Sequence, residues 1–302
     1  MTVLEAIQKS ADFLAKKGVE SPRLQTELLL AHLLKVPRMK LYLNFERALT
    51  AAETDALRKF IKRRGQREPL QHIIVTISFC GLEMMVNRHA LVPRPETELL
   101  AEEGWQFLNK LLARRVTQAR NSNDKTKIGD SYNSSIRALD LGTGTGCIAL
   151  ALAVNCPGAK ITATDVSADA LVLAKENAVR NGVAERIEFF QGDGFASLRK
   201  MEFDLIISNP PYVPSAEIAT LQPEVRDFDP HAALDGGSDG LGFYRKISAQ
   251  AKPFLKPDGK IMLEFGDGQA EAIRTIFEAE KWIVEAVKED YSRRARILIA
   301  KK

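Results

Sequence analysis

The chain has 302 residues, 45% hydrophobic and 27% charged, with three cysteines and a formal net charge of +4 at pH 7. That composition excludes a collagen-like, intrinsically disordered or disulfide-scaffold protein, and the length sets a prior of about two domains. The longest uncharged stretch, 141–159, carries three early glycines, Asn155 and Pro157, which argues against a membrane span. At the start, Val3, Leu4, Ile7, Ala11 and Leu14 mark one face of a helix with charges between them, unlike a signal peptide. Ser21 before Pro22 predicts an N-cap with proline at the first helical position, and Leu24, Leu28, Leu29 and Leu33 supply an apolar stripe. Thr50-Ala51-Ala52-Glu53 has capping-box spacing and opens a helix ending in the basic cluster Lys59, Lys62, Arg63, Arg64 and Arg67. Residues 1–70 therefore predict a small helical bundle.

Residues 71–93 are rich in β-branched side chains, with plausible turns at Cys80-Gly81 and Asn87-Arg88, and predict a β-hairpin linker. An α/β domain, 94–302, follows. It opens with a helical pattern from Pro95 to Arg115, after which 117–135 loses its hydrophobics and reads as a mobile surface insertion. The candidate strands are Ala138–Leu141, Lys160–Thr164, Ile187–Gln191, Phe203–Ser208, Lys260–Phe265, Ile283–Lys288 and Ala295–Ala300. Helices such as Ala168–Asn181 and Gln269–Glu280 fit between them, which predicts a parallel sheet covered on both faces. The last two strands, joined by a turn near 290–293, should pair antiparallel, unlike the dinucleotide-binding version of this fold.

Residues 1–75 hold 14 Lys+Arg against 8 Asp+Glu, a net of +6. A basic front end favours an acidic or ribonucleoprotein partner, and a solvated helical face explains it equally well. Cys80, Cys147 and Cys156 show no CxxC spacing, and His72, His89 and His231 share no metal-ligand spacing. These features predict reduced thiols, no metal site and a cytoplasmic protein.

Two motifs carry chemistry. Asp140-Leu-Gly-Thr-Gly-Thr-Gly146 follows the first core strand and precedes a helix, so its glycines let the backbone turn tightly against a ligand. Asp165 ends the second strand, where its carboxylate can accept two ribose hydroxyls or simply cap the next helix. Asp193 ends the third, where it can accept from an adenine amino group. The spacing is GxGxG rather than the dinucleotide GxGxxG, and the carboxylate of Asp140 suits an ammonium more than a diphosphate. S-adenosylmethionine is the favoured cofactor over NAD.

The second motif, Asn209-Pro210-Pro211-Tyr212, sits at the C-terminal end of the buried strand Phe203–Ser208. A planar NH2 conjugated to a carbonyl or ring is a poor nucleophile. The Asn209 side-chain oxygen and the Pro210 carbonyl can each accept one of its N–H groups and aim the nitrogen lone pair, with proline preorganising the backbone. Tyr212 can pack on the flat face of the target group. No general base is needed before transfer, because the proton becomes acidic only afterwards.

With these two motifs the chain resembles the amino-directed S-adenosylmethionine methyltransferases. Glu27-LLLAHLL34, Arg63-RGQREPLQHI73, Leu91-VPRPETELL100, Phe228-DPHAAL234 and Leu263-EFGDGQ269 narrow the resemblance to the protein-(glutamine-N5) methyltransferases of peptide chain release factors, the PrmC and HemK family. The resemblance implies a Rossmann-like seven-stranded methyltransferase domain behind a small N-terminal helical bundle. It implies methylation of the glutamine amide in the Gly-Gly-Gln loop of release factors. It assigns Gly142, Thr143, Gly144, Thr145, Gly146, Asp165, Asp193, Gly194 and Asn209 to the cofactor, and Asn209, Pro210, Pro211 and Tyr212 to the glutamine. Three positions depart from the family pattern: Gly194 where an aromatic is common, leaving Phe195 for the adenine, Asp229 where glutamate is usual, and a 290–296 turn without glycine.

Two rival substrates share this chemistry: a ribosomal-protein glutamine, and DNA adenine, whose exocyclic amine poses the same problem. DNA recognition needs a sequence-reading element that the chain lacks, and the acidic stretch 213–240 disfavours a phosphate backbone. Neither nucleic-acid nor membrane binding is expected.

Overall fold

The computed structural model describes residues 1–121, 136–198 and 201–302. The chain divides into two units: one comprises Met1–Thr76, Val86–Arg88 and Thr220–Asp229, the other Ile77–Met85, His89–Ala219 and Pro230–Lys302. Among the described residues no helix is long and apolar enough to cross a membrane.

The first unit is built from helices Val3–Lys16, Pro22–Leu34, Met39–Tyr42, Ala51–Gly65 and Leu70–Ile74. Capping boxes at Thr2/Glu5 and Thr50/Glu53 start the first and fourth of them. Ser21 behaves differently from its sequence expectation. It sits in the left-handed region at φ 48° and makes no side-chain cap, so Pro22 alone sets the start of that helix. The apolar stripe also differs from expectation: Leu29 and Leu30 are buried, whereas Leu24 is 42% exposed. The core gathers Val3, Ile7, Leu14, Leu29, Leu30, Leu41 and Leu57. Inside this unit Glu27 is buried. It accepts from Arg23 Nε at 3.0 Å, Arg38 Nη1 at 3.1 Å and Tyr42 Oη at 2.9 Å, so its charge is matched rather than stranded.

The basic cluster splits in two. Lys59 and Lys62 are exposed, but Arg64 is buried and donates from Nη2 to Glu224 at 2.6 Å and from Nε to Gln25 at 2.5 Å. Arg67 reaches the same Glu224 at 2.6 Å and Gln222 at 2.9 Å. For these two arginines neither a solvated face nor an external partner is needed, because segment 220–229 supplies the counter-charge.

The second unit opens with a hairpin, β1 (Thr76–Phe79, its first residue belonging to the helical unit) and β2 (Leu82–Met85), turning through Cys80 at φ 49° and Gly81 at φ 77°. Two successive left-handed residues give the turn whose twist suits a hairpin. Phe79 is buried in the core. The following helix runs Pro95–Asn121, past the expected end at Arg115. Residues 117–121 hold no glycine or proline to stop it, so they extend the helix rather than start an insertion. The remainder of the expected insertion, 122–135, lies outside the described residues.

The main sheet has seven strands: β3 (Ile136–Leu141), β4 (Ala159–Asp165), β5 (Ile187–Gln191), β6 (Phe203–Ser208), β7 (Leu255–Glu264), β8 (Ile283–Glu289) and β9 (Ala295–Lys301). Their order is β5-β4-β3-β6-β7-β9-β8. The five strands β5, β4, β3, β6 and β7 pair in parallel, and β9 pairs antiparallel with both β7 and β8. All seven overlap the strands expected from sequence, although β7 begins at Leu255 rather than Lys260 and ends before Phe265. β6 is buried at every position, as a central parallel strand must be when helices cover both faces. Leu205 and Ile207 join the core under helices Pro95–Asn121 and Cys147–Asn155, and Ile206 joins that under Gly242–Gln250 and Ala270–Ala279. In the β8–β9 turn Arg293 takes φ 61° in place of glycine. Asp290 Oδ1 holds that turn by accepting from the Ser292 and Arg294 N–H groups at 2.8 and 3.0 Å.

This order places the topological switch between β3 and β6, the two strands that lead into the two motifs. Ligands in open α/β sheets bind at such a crevice, outside the carboxyl ends of the strands.

Candidate active site at the β3–β6 switch

Gly142, Gly144 and Gly146 all adopt positive φ, at 75°, 54° and 84°, which side-chain-bearing residues rarely take. Their surroundings separate their roles. A Cβ on Gly142 would meet no atom within 4 Å, whereas one on Gly146 would lie 2.9 Å from Leu150 Cδ1 and 3.1 Å from Ala174 Cβ. Gly142 thus has open space beside it, and Gly146, outside the cavity lining, lets two helices approach closely.

Asp140 also acts on the loop. Fully buried, it accepts from Thr143 Oγ1 at 2.6 Å and the Ala149 N–H at 3.0 Å through Oδ2, while Oδ1 has no partner among the described residues. Burial pushes its pKa up to about 7. The carboxylate expected to face an ammonium therefore turns inward and locks the turn. Asp165 takes one backbone N–H on each oxygen, Gly144 at 2.8 Å and Ser167 at 2.9 Å. The next helix is capped by Ser167, which accepts from Ala170 at 3.1 Å, so Asp165 is not the N-cap.

Asp193 is ion-paired with Lys246 at 2.5 Å. Beside it Gly194 has φ 63°, and Phe195 is buried with its ring stacked on Phe254 at 4.8 Å between centroids.

From the far side, Ser208 Oγ donates to the Leu141 carbonyl at 2.5 Å and ties the ends of β6 and β3 together. Asn209 Nδ2 donates to Thr97 Oγ1 at 3.0 Å, and the Thr97 hydroxyl faces the buried carboxylate of Glu264, whose pKa it lowers. Tyr212 departs from expectation. Gln269 holds it in place, donating Nε2 to the Tyr212 carbonyl at 2.9 Å while accepting the Gly266 N–H at 2.9 Å. A Cβ on Gly266 would sit 3.0 Å from Tyr212 Cδ2, so the ring lies against that backbone and outside the cavity lining. Burial pushes its phenol up to about 12, with Glu264 and Glu96 adding to the rise and Arg296 and Arg94 opposing it.

One cavity of about 290 Å³ connects both motifs. Its walls include Gly142, Thr143, Gly144, Thr145, Asp165, Asp193 and Gly194 on one side, and Asn209, Pro210 and Pro211 on the other. Sequence reasoning did not find Lys246, Phe243 or Thr97, nor the contribution of Pro230, Ala232 and Ala233. Thr97 lay inside a quoted segment, and its signal was a hydroxyl among charges at a helix start. Arg94 also lines the cavity.

The donor set fits S-adenosylmethionine. Two carboxylates at strand ends suit ribose hydroxyls and an adenine amine, an empty Cβ direction at Gly142 gives close approach, and the Lys246 ammonium is already committed to Asp193.

Comparison with known proteins gives the same direction. The PrmC N-terminal domain model matches residues 5–74, and the methyltransferase small domain model matches 130–223. A release factor glutamine methyltransferase of Geobacter sulfurreducens is 42% identical, covering 91% of this chain and 88% of the relative. One from Chlorobaculum tepidum is 41% identical, covering 89% and 87%. Among solved structures the hMettl16 catalytic domain aligns with a TM-score of 0.53 at 16% identity over 90% of each chain, a likeness of fold alone. S-adenosylmethionine is the methyl donor of this class of enzyme. With relatives at this identity along nearly the whole length, the chain belongs to the release factor glutamine methyltransferase family.

Proposed function

We propose that this protein transfers a methyl group to the side-chain amide nitrogen of the glutamine in the Gly-Gly-Gln loop of peptide chain release factors. The observation that carries the reading is Asn209, held by its Nδ2 at the wall of the same cavity as the glycine loop. Its Oδ1 and the Pro210 carbonyl each accept one N–H of the substrate amide. Two acceptors on one NH2 draw the nitrogen out of conjugation with its carbonyl and aim its lone pair, and the fixed prolyl backbone spares any reorganisation at the moment of reaction. Gly142 and Gly144 give the donor's backbone contact, Asp165 takes its ribose hydroxyls, and Asp193 its adenine amine. When bound, S-adenosylmethionine supplies a methyl group on a positively charged sulfur, an electrophile that needs no activation by the protein. Alignment of the two reactants then supplies much of the rate. Tyr212 supports the backbone of the motif from outside the cavity. The helical unit takes part in recognising the folded substrate, and a translation-linked substrate implies work in the cytoplasm.

The test is methyl transfer from labelled S-adenosylmethionine to intact release factor, to its loop Gln→Ala variant and to duplex DNA. Label on the intact factor alone is the expected result. Label on DNA, or equal label on the Gln→Ala variant, overturns the reading.

A further inference from the structure

β7 ends in Glu264, a carboxylate following Ile261, Met262 and Leu263 and only 2% exposed. Its Oε2 has no hydrogen-bond partner among the described residues. Burying such a group without full compensation is costly, so its presence calls for a reason beyond packing. Thr97, itself 2% exposed, accepts from Asn209 Nδ2 at 3.0 Å, and its hydroxyl faces Glu264, whose pKa it lowers.

The direction of these bonds follows from chemistry. An ionised carboxylate only accepts, so the Thr97 proton goes to Glu264 and a Thr97 lone pair is left for Asn209. Only the NH2 end of the Asn209 amide can satisfy that lone pair. Fixing the NH2 end fixes the oxygen end too, on a residue that lines the cavity. Without this restraint the two ends of a carboxamide are nearly isosteric, and the flipped form would present N–H donors to a substrate that offers N–H donors of its own.

We propose that Thr97 and Glu264 are positioning residues that form a relay locking the Asn209 amide with its oxygen toward the substrate nitrogen. The relay rests on the assignment of Asn209 as acceptor. Neither residue exchanges atoms with substrate; both act through Asn209.

The experiment compares full-length wild type with Thr97→Val, Thr97→Ser and Asn209→Ala. Transfer to intact release factor is measured together with S-adenosylmethionine affinity by calorimetry and the Asn209 side-chain amide signals by NMR of the cofactor-free protein. Thr97→Val should lower kcat about 30-fold, within the range for loss of one preorganised group, while KM and cofactor affinity stay within about twofold. Thr97→Ser keeps the hydroxyl and should stay within about threefold of wild type and keep the amide signals, which Thr97→Val shifts. The relay is overturned if Thr97→Val keeps wild-type kcat while Asn209→Ala does not, or if serine fails to rescue. Near-normal turnover in Asn209→Ala overturns instead the acceptor assignment beneath it.

Discussion

Arg64 Nη2 and Glu224 Oε1, 160 residues apart in sequence, hold each other at 2.6 Å. Arg67 closes on the same carboxylate from a second direction, and the two guanidiniums keep its pKa below the ordinary value against the opposing effect of burial. Removing the shared carboxylate leaves the buried Arg64 with charge uncompensated. Glu224→Ala should therefore destabilise the chain by about 1–3 kcal/mol, a partly exposed version of breaking a buried pair. Chemical denaturation measures this, and an unchanged midpoint would show that the contact is incidental.

The two outer glycines of the loop should fail in different ways. Gly142→Ala faces a backbone penalty of about 1 kcal/mol from its positive φ and puts a methyl into the ligand's space. Gly146→Ala drives a Cβ into Leu150 and Ala174. Calorimetry and thermal melting together should show Gly142→Ala losing about tenfold in cofactor affinity, roughly 1.4 kcal/mol, with a modest change in Tm. Gly146→Ala should lose Tm first. The reverse pattern would exchange the roles assigned to them.

The Asp193–Lys246 pair is exposed, its carboxylate side chain 67% accessible, so it adds little to stability. Asp193→Ala should leave Tm almost unchanged and weaken S-adenosylmethionine about fivefold, the loss of one modest hydrogen bond of about 1 kcal/mol. Unaltered affinity would remove Asp193 from the adenine site.

Glu264 couples stability and activity with opposite signs. Burial first, helped by Glu96 and opposed by Thr97, Arg296 and Arg94, lifts its pKa from 4.5 to about 7. Tyr212 also faces it. The folded chain then holds a proton that the unfolded chain has released, so this contribution to stability is complete below pH 4.5 and is lost as pH rises through about 7. Asp140, also lifted to about 7 chiefly by burial, acts with the same sign. Activity runs the other way, since only the ionised Glu264 is purely an acceptor and fixes the direction of the Thr97 proton. Across pH 5.5–8.5, roughly one and a half units either side of that value, kcat should rise while Tm falls. Glu264→Gln should flatten the kcat profile and leave the Tm slope due to Asp140. An acid limb with the same midpoint in Glu264→Gln would assign it to another group.

The sheet was legible because apolar runs such as Phe203–Ser208 and Ile187–Gln191 are short, β-branched or aromatic, and bounded by turn residues, so pattern and structure agree. The cavity was legible for the same reason, both motifs standing at strand ends. What escaped was long-range or conformational. Ser21 had the composition of a cap but not its backbone angles. Arg64 read as a charge for solvent or for an external partner because Glu224 is 160 residues away. Gly146 and Tyr212 belong to the right motifs yet face packing rather than the cavity, a distinction that spacing alone does not carry. Glu264 lay within a quoted segment, but its meaning depends on Thr97, 167 positions earlier in the chain.

The most direct test of the central claim is single-turnover methyl transfer to intact release factor by Asn209→Ala, with cofactor affinity measured on the same preparation. The account predicts a loss of at least about 100-fold in the transfer step, with the fold intact and S-adenosylmethionine binding weakened by no more than about tenfold. Transfer at close to the wild-type rate would contradict it, because no acceptor at Asn209 would then be needed to aim the amide nitrogen.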